Sequence, residues 1–454
     1  MKKAKIVLIG SGSQYTEFFL QELFKYEDFK GCTLTMVDRK KERLDMVLAI
    51  AKKFNDFFDW DLKIEGFTDR RDALAGANVV YCFAAVNYKE AWKKEYEICV
   101  KNGLNPFEFH TNGPGGLGMA IRHVPLILDI CDDMEELCPD AWLIIDSNPL
   151  AKMQAAVARY SKIKCIGYCY GHELVQLALE QTLGMTDRSP EQMEADPLER
   201  EFMVPAGTID IHIVGVNHMG WLLDIKSAET GEDLYPKLRE ILDATPTNKA
   251  PMGYRFCTEV YRRFGYFASP GDQHVADYAW FFDSDMQAMS NLTPFVVDAW
   301  FGGRDRDAWG EIFNKVDDLE AAKMFIKQRR AGWMSTQISR YLISGGYKYF
   351  PSVNVVNNGA IADLSDDIIV EVPGIIGPDL IKPIQMGALP YGLAPICQLH
   401  GSISNIVADA AATGSTEKAL QALLLDPFVC SATRAQNILD DILEYNKDYD
   451  TRFK

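Results

Sequence analysis

An α/β fold built on a doubly wound parallel sheet is predicted for the amino-terminal part of this chain, and an α+β lobe for the rest. Three observations predict it. Short apolar runs without polar alternation recur at positions 4–9, 33–37, 78–85, 141–145 and 164–168. Stretches with helical spacing lie between them, as in Leu44, Val47, Leu48, Ala51 and Phe54, and unbroken apolar strands alternating with helices belong to a sheet covered on both faces. Beyond a polar, acidic excursion at 186–205, the pattern changes to a strand pair and then to helical stretches at 316–343 and 405–449. With 454 residues and 48% hydrophobic content, and single cores ceasing to grow near about 250–300 residues, two lobes are expected. Residues 1–185 form a nucleotide-binding unit, and 186–454 a catalytic and oligomerisation unit.

Taken in order, the first strand runs into Gly10-Ser11-Gly12-Ser13. The two glycines let the backbone pass close to a pyrophosphate resting on the amino end of the helix that opens near Gln14, as in a Rossmann-like dinucleotide fold. The third glycine of the usual fingerprint is missing, so a plain strand-to-helix turn stays open as a reading. Asp38 ends the second strand, placed to accept hydrogen bonds from a ribose 2′-hydroxyl and so to favour NAD over NADP, with Arg39 beside it. Gly10, Asn87, Ser147-Asn148 and Cys169 all fall at the carboxyl ends of strands, where such sheets bind their ligands. A second glycine-rich loop, from His110 to Gly118, leads into a helix carrying Arg122 and His123.

Cys169 follows the strand at 164–168 and His218 the strand at 209–215. A thiolate and an imidazole suit a borderline divalent ion such as manganese, iron, cobalt or nickel, and two protein ligands leave positions open for a sugar's adjacent hydroxyls. A buried structural cysteine is the competing reading. Asn217 orients substrate or caps a turn. Asp272 is either a general base with His274 as its neighbour or a cap on the following helix.

The formal charge of -17 argues against nucleic acid as a partner, since phosphate neutralisation needs clustered Lys and Arg. No apolar run approaches the roughly 18 residues of a membrane helix, and the first strand begins too early to leave room for a signal peptide. A soluble cytoplasmic protein is expected. The ten cysteines form no CxxC pair, so neither a disulfide framework nor a zinc ribbon is indicated. Neither the paired carboxylates of an ordinary glycosidase nor a Gly-x-Ser-x-Gly elbow is recognisable.

Together, the glycine turn, Asn148-Pro149, Cys169, Gly215-Val216-Asn217-His218, Gly271-Asp272 and the block from Val353 to Pro390 resemble glycoside hydrolase family 4 over nearly the whole chain. Asn357-Asn358-Gly359-Ala360-Ile361, Val370-Glu371-Val372-Pro373 and Gly387-Ala388-Leu389-Pro390 separate it from lactate and malate dehydrogenases, whose nucleotide domain is similar. Within the family, Gly113-Pro114-Gly115-Gly116, Pro270-Gly271-Asp272-Gln273-His274 and Gly387-Ala388-Leu389-Pro390 most resemble the branch of α-galacturonidases and α-glucuronidases.

The resemblance implies hydrolysis of an α-glycoside with NAD and manganese or another divalent metal. NAD takes hydride from carbon 3, a base removes the acidified proton on carbon 2, the glycosidic oxygen leaves, water adds and the hydride returns. NAD-dependent members of this family are a known exception to two-carboxylate hydrolysis. The resemblance further implies Cys169 and His218 as metal ligands, Asn148 and Asn217 as sugar contacts, Asp272 as the carbon 2 base, and a homodimer or homotetramer. Arg122 and His274 are further candidate substrate contacts. Two positions depart from the pattern: His110 stands where the branch has an aspartate, making His110 the candidate leaving-group acid, and Tyr170 stands where a histidine is common, with His172 two places on. The competing functions are an NAD-dependent dehydrogenase of a hydroxy acid or sugar, and a noncatalytic nucleotide sensor.

Overall fold

The computed structural model describes residues 3–13, 15–104, 109–186, 207–246, 250, 254–282, 314, 316–327, 334–449 and 452–453. Most of the acidic excursion expected to join the lobes lies outside the described residues. Twelve strands of the described chain form one sheet in the order β3-β2-β1-β4-β5-β6-β10-β11-β7-β8-β9, with β12 paired to β11. Strands β1 (Lys5–Ile9), β2 (Thr33–Val37), β3 (Lys63–Phe67), β4 (Val79–Cys82), β5 (Trp142–Ile145) and β6 (Lys164–Gly167) are all parallel. This is the doubly wound order with its switch point between β1 and β4, as the apolar runs predict. The sequence pattern missed β3, an edge strand of Lys63-Ile64-Glu65-Gly66-Phe67 with no fully buried residue. A strand with one open edge carries no continuous apolar signal.

Alternate side chains divide between two cores. Ile6, Leu8, Leu34, Met36 and Tyr81 pack against helices α1 (Tyr15–Leu23) and α2 (Lys41–Phe58). Val7, Ile9, Val37, Val80 and Leu143 face α3 (Arg70–Leu74), α5 (Gly113–Leu137) and α6 (Leu150–Tyr160). Each fully buried Leu, Ile or Phe contributes about 1.5–3 kcal/mol. Helix α4 (Tyr88–Lys101) joins α5 in a third cluster.

The carboxyl-terminal strands are β7 (Ile209–Val216), β8 (Met219–Ser227), β9 (Phe267–Ser269), β10 (Lys348–Val356), β11 (Ile369–Gly377) and β12 (Leu380–Pro383). They run antiparallel and continue the same sheet. One row of partners crosses the seam: Gly167 pairs Asn354, Asn354 pairs Glu371, and Glu371 pairs Gly215. The residues that leave β6 and β7 therefore emerge at one level, which brings Cys169 to Asn217 and His218.

The remaining helices are α7 (Gly171–Thr182), α8 (Tyr235–Ala244), α9 (Arg255–Phe264), α10 (Asp272–Ala276), α11 (Leu319–Lys327), α12 (Met334–Ser344), α13 (Ala394–Thr413), α14 (Thr416–Leu425) and α15 (Ala432–Asn446). The Asn-Asn-Gly signal does mark a connection between β-strands, with φ of 41° at Asn358 and 80° at Gly359. It opens the long link from β10 to β11, held by the Asn357 side chain on Ile361 and Leu364. Among the described residues no helix is long and apolar enough to cross a membrane.

Candidate active site

The first half of the site is the turn after β1. Gly10 has a φ of +83°, and a Cβ there would lie 2.6 Å from the amide nitrogen of Ala84, so only glycine fits. Asp38 Oδ2 accepts from the Gly12 amide at 2.8 Å and Oδ1 from Lys40 at 2.8 Å. Asp38 thus joins the glycine turn to the end of β2 and stands half-buried where a ribose would be read. Ser13 closes the turn through its amide on Gly10. Arg39 is exposed beside it.

The second half gathers at the seam. Cys169 Sγ and His218 Nε2 are 3.5 Å apart, a span that suits two donors to one ion with bonds of about 2.3 Å to sulfur and about 2.1 Å to nitrogen. Asn217 and His218 form the two-residue link between β7 and β8, and His218 has a φ of +68°. A non-glycine residue in the left-handed region is uncommon and gathers at functional sites. Thr111 Oγ1 lies 3.0 Å from His218 Nδ1. With the proton on Nδ1 donated to that hydroxyl, the Nε2 lone pair faces Cys169, the arrangement in which ion-binding histidines are oriented. Burial holds the imidazole well below its usual pKa, hence neutral. Burial and the nearby Glu371 carboxylate push the Cys169 thiol up to about 12, so an ion must displace its proton to bind. Among the described residues no group of three or more His, Cys, Asp and Glu converges as a closed metal cage. A catalytic ion site with positions left for ligand fits this pair.

Around it, Asn217 Nδ2 donates to Glu371 Oε2 at 3.1 Å, and Ser352 donates to Oε1 at 2.6 Å. His274 stacks on His218 with ring centroids 4.1 Å apart, and burial lowers its pKa to about 4. Asn148 sits half-buried at the end of β5. Two residues before it, Asp146 is 8% exposed; burial raises its pKa to about 7 against the opposing effect of the Ser335 hydroxyl.

The glycine-rich start of α5 explains how Thr111 reaches this place. A Cβ on Gly116 would meet the Thr111 carbonyl at 2.7 Å, so the segment before the helix folds back against its first turn. From there Asn112 donates to the Asp277 carbonyl at 2.8 Å. Lys152 of α6 donates to the Thr111 carbonyl at 2.5 Å, and burial brings its pKa down to about 8.

Three candidates take specific places. His110, the candidate leaving-group acid, is buried, with its Nε2 2.5 Å from the Tyr88 hydroxyl and its ring stacked on Trp92; burial, with His274 and His123 nearby, lowers its pKa to about 3. Arg122 is not a substrate contact, since its guanidinium is buried against Glu95 and bonded to Asn446 and the Gly118 carbonyl. Arg122→Met should strand the Glu95 carboxylate and lower stability by about 3–5 kcal/mol. Chemical denaturation checks this, and a loss below about 1 kcal/mol would show the pair to be dispensable. Thirdly, Asp272 does cap a helix, but the preceding one. Its Oδ2 accepts from Phe256 at 2.9 Å and its Oδ1 from Cys257 at 2.8 Å, both at the amino end of α9. The Cys257 thiol and the Arg255 amide also act on this carboxylate, and burial, the larger effect, raises its pKa to about 6.

Sequence reasoning missed Thr111 as a partner of His218, Lys152 and Glu371. Glu371 left a signal, a lone carboxylate inside the otherwise apolar β11. Lys152 left a weaker one, a lysine in a helix buried on every side through residues 152–157.

Comparison with known proteins gives the same outline. Residues 5–185 match the model described as family 4 glycosyl hydrolase, and residues 213–429 that of the family 4 glycosyl hydrolase C-terminal domain. An α-galactosidase of Bacillus subtilis (strain 168) is 28% identical over 459 aligned positions, covering 99% of this chain and 100% of its own. A crystal structure of a 6-phospho-α-glucosidase from gut microorganisms, in complex with NAD and Mn2+, has a TM-score of 0.79 at 20% identity, with 100% of both chains covered. The 6-phospho-β-glucosidase of Thermotoga maritima, with manganese, NAD+ and glucose-6-phosphate, has a TM-score of 0.72 at 19% identity, covering 98% of this chain and 99% of its own.

Proposed function

Because this chain belongs to glycosyl hydrolase family 4, we propose that it cleaves an α-glycoside by redox-assisted elimination, using NAD and a manganese-type divalent ion. The observation that carries the reading is the 3.5 Å approach of Cys169 Sγ to His218 Nε2, on the sheet whose first turn is shaped by Gly10, Gly12, Ser13 and Asp38. When bound, NAD supplies a reversible hydride acceptor and the ion supplies Lewis acidity toward the sugar's adjacent oxygens.

The chain's own residues do the rest. The turn at Gly10 and Gly12 admits a pyrophosphate, with Asp38 reading the ribose and Arg39 flanking it. Cys169 and His218 hold the ion, with His218 oriented by Thr111. Asn148 and Asn217 fix the sugar, and Glu371 fixes Asn217. His274, neutral and stacked on His218, closes one wall. Asp272 is the base for the carbon 2 proton: burial places its pKa near enough to neutrality for proton transfer, while it stays ionised at pH 7. The substrate is proposed to be an α-galacturonide or α-glucuronide, on the strength of the Gly113–Gly116 and Pro270–His274 segments. The related enzymes span neutral and 6-phospho sugars, so a panel of galacturonides, glucuronides, neutral glycosides and 6-phosphoglycosides decides it.

With an aryl α-glycoside accepted from that panel, NAD and manganese in deuterated water, the aglycone should be released, the sugar should carry deuterium at carbon 2, and NADH should not accumulate. NADH rising in step with product would instead identify a dehydrogenase, and NAD binding without turnover a sensor.

A further inference from the structure

We propose that Lys152 is a positioning residue for the ion-binding histidine, acting through Thr111; this rests on the reading of Cys169 and His218 as an ion site. Thr111 is held at both ends. Its carbonyl accepts from Lys152 Nζ at 2.5 Å, and its hydroxyl lies 3.0 Å from His218 Nδ1. The contact has little slack, because Gly116 packs where a Cβ would come within 2.7 Å of the Thr111 carbonyl and 3.6 Å of Lys152 Cε.

The burial of this lysine needs a reason. Its side chain is among the largest that are fully buried, with the residue 2% exposed, and removing an ammonium from water is costly unless it is paired. Methionine would fill the same volume without that cost. Thr111 O is the hydrogen-bond partner that the described residues give it, and Asp426 acts on it through space. The corner it pins also carries Asn112, which bonds to the Asp277 carbonyl and lies 3.2 Å from His400. Releasing the Thr111 carbonyl lets this corner shift, and the imidazole of His218 turns with it. The direction of Nε2 toward Cys169 is thereby lost.

The test is an equilibrium titration of manganous ion, followed by the electron paramagnetic resonance signal of the free ion, on the full-length chain. The variants are Lys152→Met, Thr111→Val, their double and Lys152→Arg. Each of the first two should raise the manganese Kd about tenfold, the usual scale for an outer-shell partner. The double should be no worse than about threefold beyond the weaker single, because both act on one contact. Lys152→Arg, which keeps a cationic donor, should stay within about threefold of the parent. The proposal is overturned if Lys152→Met binds within about twofold of the parent, or if the two losses multiply to about a hundredfold. Should the methionine variant fail to fold by circular dichroism, Lys152→Gln takes its place in the same cycle. The underlying ion site is judged separately: if Cys169→Ser and His218→Asn leave the parent affinity unchanged, that reading fails whatever Lys152 does.

Discussion

Replacing His218 with asparagine is expected to lower kcat/KM by at least about 10³-fold, because on the proposed reading the variant would lose a ligand to an ion that stabilises charge developing on the sugar. Asparagine is the informative substitute. At a φ of +68° it tolerates the left-handed turn that would strain alanine, so lost activity is not confused with a distorted β7–β8 link. Excess manganese should restore part of the rate by mass action, and thermal unfolding of the ion-free protein should move little. A variant that turns over an aryl glycoside at near-parental rate would remove the pair from the mechanism.

Asp272→Asn should cost about 10²–10⁴-fold in kcat, the range for a removed general base. Because the carboxylate also caps α9, the same change should cost about 1 kcal/mol of stability, and the two losses can be measured independently. The pH profile adds a sign. The folded carboxyl titrates near 6 instead of the ordinary 3.8, so the active, ionised form is lost as pH falls through about 6, and the acid limb of kcat/KM should lie there. Stability moves oppositely: the folded state holds this proton more tightly than the unfolded chain, so this group's contribution is fully present below pH 3.8 and is lost as pH rises toward 6. An acid limb near 4, or a variant with lost stability and intact kcat, would leave Asp272 a cap alone.

The parallel half of the fold was legible because its interior strands are buried on both faces and so read as largely apolar runs. The edge strand β3 was not, for the same physical reason inverted. Cys169 and His218 could each be nominated as strand-end residues, yet their meeting depends on the row Gly167–Asn354–Glu371–Gly215, a register no local pattern encodes. The resemblance to a family supplied the pairing before the register was known. Asp272 was legible as a cap in chemistry but not in partner, since the amides it accepts lie 15 and 16 residues upstream. Arg122 invited a substrate role because its partners Glu95 and Asn446 are 27 and 324 positions away, and charge pairing over such separations leaves no local trace.

The seam between the two halves of the sheet has a mechanical consequence. In the proposed reaction, hydride loss at one carbon and proton loss at its neighbour need an acceptor and a base whose mutual spacing survives every turnover. Lobes joined by a flexible strap would have to recreate that spacing each time they closed. Here one continuous sheet carries both the turn after β1 and, across the row Gly167–Asn354–Glu371–Gly215, the Cys169–His218 pair, so the proposed nucleotide and ion sites share a single slab.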